Sequence, residues 1–435
     1  NYYSGSIEAA YISNAAGGTL INYSDINAAH ISNAGVWSNN GTLTFMESFS
    51  NTGSFHANAQ MRVDYNKTIN NAGTFVINRA FYNDGTFIGQ AGSTLAMNFG
   101  GSLYNYGQFT SGGSFENHNQ INNVGSFTNS GNMVNHGTIY GSSQSAFTNA
   151  AGGTLTNYGG IDAAYISNAG IWHNNRTLLN FMESFSNTGS FHANAQMWIE
   201  YDKTINNAGT FEINSDFTNN GNYINSGITT NNSAFQQNDG ELIIAENSIF
   251  NGIGNFFQNG GNTIVNGTLE QGTIIINGGS IQGNGDIIAT NGPIQLNGVA
   301  INPGNSVGSL NFEGDTYFNG PLNIEVESDT SFDTVFFDSI SFGELTTLTL
   351  IFDSAFNPFD GQLIEFLFAD AISGFDNIAL LVTGLTSDTA YNLINNGSSI
   401  ALEFTSSVPL PSALLLFSSG MALLIIGKRR ATTNK

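Results

Sequence analysis

Large apolar residues recur at every sixth position over much of this chain. One run reads Val63, Ile69, Phe75, Phe81 and Phe87; another reads Leu103, Phe109, Phe115, Ile121, Phe127, Met133 and Ile139. A third run is Ile199, Ile205, Phe211, Phe217 and Tyr223, followed by a less regular series of Leu269, Ile275, Ile281 and Ile287. A helix would show a period near 3.6 and would be penalised throughout by the interleaved Gly and Asn. The pattern instead predicts short strands with the large residue facing inward, joined by tight turns. Gly73, Gly85, Gly107, Gly113, Gly125, Gly131, Gly137, Gly209 and Gly221 keep step with the ladder. They are expected at turns that need φ > 0. Three such units make a coil of about 18 residues, and stacked coils pair their backbones with the coils above and below.

A longer duplication lies over this short repeat. Residues 14–75 recur as 149–211, including the shared string GSFHANAQM. A near-copy of this length indicates an extended repeat array rather than two specialised globular domains. A shorter echo, IEAAYISNA at Ile7 and INAAHISNA at Ile26, has the spacing of one coil of a right-handed β-helix. The fold class expected is therefore all-β: a right-handed β-solenoid over residues 1–300, with a left-handed β-helix as the alternative reading of the hexads.

Beyond residue 300 the pattern changes. Alternating stretches such as TVFFDSISF and LTTLTLIF read as longer strands joined by acidic turns, giving a β-rich cap or sandwich-like domain over 301–405. A cap would cover the strand edges that an open last coil exposes. Residues 408–430, VPLPSALLLFSSGMALLIIGKRR, carry no charge between Leu410 and Gly427. Their length and flanks predict one C-terminal transmembrane helix stopped by Lys428, Arg429 and Arg430.

That tail resembles the PEP-CTERM sorting signals in their VPLP-type variant, on Val408, Pro409, Leu410 and Pro411, the apolar run, and Lys428, Arg429 and Arg430. The resemblance implies an exosortase-like membrane protease as a partner. It further implies transient inner-membrane anchoring, and a cell-surface or extracellular-matrix location in a Gram-negative bacterium that makes exopolysaccharide or biofilm. Residues 302–310, NPGNSVGSL, resemble the motif that closes β-helical passenger regions of autotransporter-like adhesins.

Composition narrows the function classes. Thirty-two acidic residues stand against nine basic ones, a formal charge of −23, and no Lys or Arg lies between Lys203 and Lys428. Such a surface repels nucleic acid and anionic lipid, while cations and neutral glycans remain acceptable. Cysteine is absent, so disulfides and thiolate metal sites are excluded. The 34 Phe and 15 Tyr argue against disorder.

Candidate chemistry is sparse at this level. The six histidines, His30, His56, His118, His136, His173 and His192, are isolated along the sequence, and no HExxH motif occurs. Trp37 and Trp172 occupy equivalent positions of the duplicated blocks and are candidates for contacting glycan. Glu325, Glu327, Asp329 and Asp333 could together bind Ca²⁺. The repeats, the duplication and what the resemblance of the tail implies together lead to the expectation of a secreted structural or adhesive matrix protein without catalytic function. The alternative is a β-helical polysaccharide-processing enzyme.

Overall fold

A computed structural model describes residues 5–176, 179–386 and 389–405. The chain is a β-solenoid. Three short strands make one coil: Thr68–Asn71 lies on a first face, Thr74–Ile77 on a second and Ala80–Asn83 on a third, after which Thr86–Gly89 returns to the first. Each strand pairs in parallel with its counterpart one coil on, as in Thr68–Asn71 with Thr86–Gly89, Thr74–Ile77 with Thr94–Met97, and Ala80–Asn83 with Ser102–Asn105. Successive coils are offset by 17 to 22 residues.

The reason for the hexad is visible in the burial of a single strand. In Ser126–Asn129 the residues alternate outward and inward, so that Phe127 and Asn129 are buried while Ser126 and Thr128 face out. The inward apolar residue stacks on its equivalents: Phe87, Phe109, Phe127 and Phe147 form a column with ring centroids 4.6, 5.1 and 5.3 Å apart, nearly parallel. All of the hexad residues from Val63 to Ile139 are fully buried.

The second inward residue of most strands is Asn, and it answers for the polar groups at the corners. Asn14, Asn33, Asn51 and Asn71 form one internal ladder; Asn129, Asn149, Asn168, Asn187, Asn207 and Asn225 form another. Each Nδ2 donates to the Oδ1 of the next coil, and most also donate to a turn carbonyl, as Asn33 does to Ser54 O at 3.0 Å. A buried amide would be costly without such partners.

The turn glycines serve a different purpose from the one expected. None of Gly73, Gly85, Gly107, Gly113, Gly125, Gly131, Gly137, Gly209 or Gly221 has positive φ. Coils approach so closely at these corners that a Cβ would overlap a carbonyl oxygen of the preceding coil. At Gly209, for example, it would meet the oxygen of Gly189. The requirement is space rather than left-handed backbone.

The duplication is also a duplication of shape. Leu43–Asn51 and Leu179–Asn187 are matching nine-residue strands in which the third and first faces run together without a turn. The pairing register shifts between Ala28 and His30 in one copy and between Ala163 and Tyr165 in the other. Asn66 and Asp202 occupy the same left-handed turn, each with φ of 61°.

Parallel stacking continues past residue 300. Ser280–Gly283 pairs with Ala300–Pro303, and the column goes on through Pro321–Val326 and Thr347–Phe352 to Ala379–Thr383. Coils widen here, with hydrogen bonds spanning 33 residues between neighbours. Antiparallel pairing occurs at the end, where Ser399–Thr405 lies between Leu363–Ser373 and Ala390–Asn395.

The expected transmembrane helix requires a correction. Among the described residues no helix is long and apolar enough to cross a membrane. The helical turn Phe375–Asn377 is a three-residue 3₁₀ segment. Residues 408–430, including Val408, Pro409, Leu410, Pro411, Lys428, Arg429 and Arg430, lie outside the described residues.

Candidate metal centre

The outer side of the second face carries the chemistry. In-register parallel stacking puts the outward residues of successive coils next to one another, so positions far apart in sequence become neighbours. The residue following each second-face strand forms one row along the corner, because its N–H bonds the last strand residue of the coil before: Asn98 to Ile77, His118 to Met97, His136 to Asn117, Tyr158 to Asn135 and Asn175 to Asn157.

Along this row Asn40, Asn58, Asn78 and Asn98 form an outer side-chain ladder, with amide contacts of 3.1, 2.7 and 2.6 Å. Asn175, Asn194, Asn214 and Asn232 repeat it in the second copy, at 2.9, 2.9 and 2.8 Å. Between the two ladders lie stacked rings. His118 and His136 are parallel at 5.1 Å, and His136 continues onto Tyr158 at 5.3 Å. Phe99 covers the other side of His118.

Glu116, on the strand Ser114–Asn117, reaches the two imidazoles. Its Oε1 is 3.0 Å from His118 Nε2 and 4.0 Å from His136 Nε2. One ligand atom from each residue lies within 4.8 Å of the others, and the group is half-buried to exposed. Two imidazole nitrogens and one carboxylate oxygen are a donor set for Zn²⁺ or another divalent first-row metal, with positions left over for water or substrate. A bound ion of this kind can lower the pKa of water or polarise an oxygen. The expectation of a chain without catalytic function is corrected by this cluster, which has catalytic potential. His118 and His136 escaped notice because they are 18 residues apart, a full coil, whereas metal motifs on one helix or loop use spacings of a few residues.

The remaining histidines also have partners. His30 Nδ1 meets Ser48 Oγ at 3.1 Å, and His56 Nε2 meets Ser54 Oγ at 3.1 Å. His173 stacks on His192 at 4.6 Å. Partial burial lowers the pKa of His173, the neighbouring His192 adds to the lowering, and Glu212 opposes it.

Trp37 and Trp172 are inside the solenoid, each with 0% exposure. Trp172 packs on Phe147, Phe185 and Phe191, and Trp37 on Phe49 and Phe55. Their ring faces are turned to the core, away from any glycan in solvent.

The acidic quartet does not converge. Among the described residues the cluster at Glu116 is the group of three or more ligand atoms placed for a metal. Glu327 accepts from Ser306 Oγ and Ser331 Oγ. Asp333 is buried, with Oδ1 accepting from Gly308 N at 2.7 Å and Oδ2 from Glu325 N at 2.8 Å. It thereby ties the 302–310 turn to the neighbouring strand.

Burial pushes the Asp333 carboxyl up to about 7, against the pull of those two N–H groups and with the Glu325 and Glu327 charges adding to the rise. A proton held more tightly when folded stabilises the fold fully below the ordinary pKa of 3.8, and that contribution is lost as pH rises through about 7. Thermal stability is expected to fall between about pH 4 and 7, the interval between this group's ordinary and raised values in which the folded form holds the extra proton. Asp333→Asn should flatten the fall and, by setting an amide donor against a backbone donor, cost about 1–3 kcal/mol at low pH in a denaturant titration.

No known protein-family model matches the chain. A search of curated proteins also returns no match.

Proposed function

We propose that this solenoid is a β-helical polysaccharide-processing protein, with Glu116, His118 and His136 holding a divalent metal that acts on the bound chain. The observation that carries this reading is the convergence of three ligand atoms within 4.8 Å along the outer corner, on side chains that are half-buried to exposed. Asn ladders flank the cluster and offer hydrogen-bonding amides to sugar hydroxyls, while Phe99 and Tyr158 offer ring surface. A long polymer can lie along such a row without entering a pocket.

Export to the cell surface or matrix belongs to the same proposal. It is supported by the resemblance of the tail to VPLP-type PEP-CTERM signals, which would make an exosortase-like protease the partner, and by that of residues 302–310 to adhesin passenger motifs. A structural or adhesive role in an exopolysaccharide or biofilm matrix is the second reading, favoured by the exposed Asn ladders and the charge of −23.

Titration with Zn²⁺ or Mn²⁺, followed calorimetrically, tests the centre. One ion per chain is expected, with affinity weakening as pH falls because both imidazoles must be neutral to coordinate. His118→Ala and Glu116→Gln should each weaken it by roughly tenfold or more, equivalent to about 1.4 kcal/mol per factor of ten. Depolymerisation of an anionic or neutral polysaccharide that needs the ion would support processing. Metal binding unchanged in both variants would overturn the centre.

A further inference from the structure

One arrangement on the second face is chemically different from the metal cluster. In the second copy of the duplicated block, Ser190 and His192 are the two outward residues of the strand Ser190–Ala193. Ser190 Oγ lies 3.0 Å from His192 Nε2. Parallel pairing sets His192 directly beside Glu212 of the next coil, and Nδ1 meets Glu212 Oε2 at 2.5 Å. Glu212 is itself held through Oε1 by Asn232 Nδ2 at 3.3 Å. The carboxylate takes the Nδ1 proton as its hydrogen bond, which leaves the Nε2 lone pair free to accept from the Ser190 hydroxyl. This is the order of roles in an activated serine: nucleophile, base and orienting acid.

The first copy supplies an internal comparison. Ser54 Oγ and His56 Nε2 are 3.1 Å apart, as in the second copy, but His56 is paired with Val76 where His192 has Glu212. The hydroxyl and imidazole are therefore present twice, and the acid once.

We propose that Ser190, His192 and Glu212 form a hydrolytic site for small acyl esters, of the kind carried as substituents on sugar hydroxyls. Ser190 Oγ attacks the acyl carbonyl carbon while its proton passes to His192 Nε2. Collapse of the tetrahedral adduct breaks the acyl C–O bond, and the sugar alcohol leaves with that proton. Water, deprotonated by His192, then attacks the acyl-serine, releasing the carboxylic acid and restoring Ser190. Only water is consumed. The site suits a short acyl group on a long polymer, because it lies open on a flat face beside the Asn175, Asn194, Asn214 and Asn232 ladder.

The test is labelling of the full chain with phenylmethylsulfonyl fluoride, located by peptide mass spectrometry, together with hydrolysis of p-nitrophenyl acetate. Label is expected on Ser190 and not on Ser54, and hydrolysis should resist EDTA, which separates this site from the metal centre. Ser190→Ala and His192→Gln should each lower the rate by about a hundredfold. Glu212→Val should reduce labelling of Ser190 to the level of Ser54, and Val76→Glu should bring label to Ser54. Equal labelling of the two serines, no label on Ser190 in protein with native circular dichroism, or undiminished hydrolysis in Ser190→Ala would each overturn the proposal.

Discussion

Replacing Trp172 by alanine is expected to destabilise the solenoid by about 3–5 kcal/mol, the range for deleting a large aromatic from a packed interior. Trp172 is fully buried among Phe147, Phe185 and Phe191, in a column where each ring is also the packing surface of the next. The indole N–H is buried without a hydrogen-bond partner among the described residues. Trp172→Phe should therefore cost much less, about 1 kcal/mol or below, because it leaves a smaller void and removes an unpaired donor. Urea titrations of the two variants distinguish this from a surface role, in which alanine and phenylalanine would both leave the midpoint near that of the parent.

A second large effect is expected at Asn168. Its Nδ2 donates to Asn187 Oδ1 at 2.8 Å and to Ser190 O at 3.0 Å, while its Oδ1 accepts from Asn149 Nδ2 at 2.8 Å. Asn168→Leu keeps the volume and removes all three bonds, leaving buried groups short of partners on two adjacent coils. At about 1–3 kcal/mol for each group left unsatisfied, the loss should reach about 3 kcal/mol or more. Asn194→Leu on the exposed outer ladder should change stability by no more than about 0.5 kcal/mol, since water replaces its partners. Similar losses from the two substitutions would mean that the internal ladder contributes little.

The core and coil were legible in the sequence because one physical rule produced them. A residue that must point inward on each short strand returns every six positions, and the runs from Val63 to Phe87 and Leu103 to Ile139 are buried as that rule requires. Glycine was readable as a marker of corners but not in its cause: left-handed turns and close coil contacts both select it. Trp37 and Trp172 did carry the sign of burial, because Ile31, Trp37, Leu43, Phe49, Phe55 and Met61 stand six apart and Trp172 stands six after Ile166; residue type suggested a sugar face, and the register decided for the core. The sites failed for a geometric reason. Glu116, His118 and His136, and likewise Ser190, His192 and Glu212, become neighbours through the coil offset, and that offset varies from 17 to 22 residues. Reading them from sequence would require aligning every coil first. His118 with His136, and His173 with His192, were the available signal, each pair separated by about one coil.

The Asn ladders have a direction. Inside the solenoid each amide donates toward the later coil, from Asn129 to Asn149 and onward to Asn225. On the outer corner the sense is reversed, with Asn58 donating back to Asn40 and Asn232 back to Asn214. The two sets of amide dipoles thus oppose one another along the rod, and their fields cancel in part. Growth of the stack is polarised as a result: a finished coil holds out an inner NH₂ and an outer carbonyl oxygen. The next coil has to bring the complementary pair, so a coil docked upside down would set donor against donor inside and acceptor against acceptor outside.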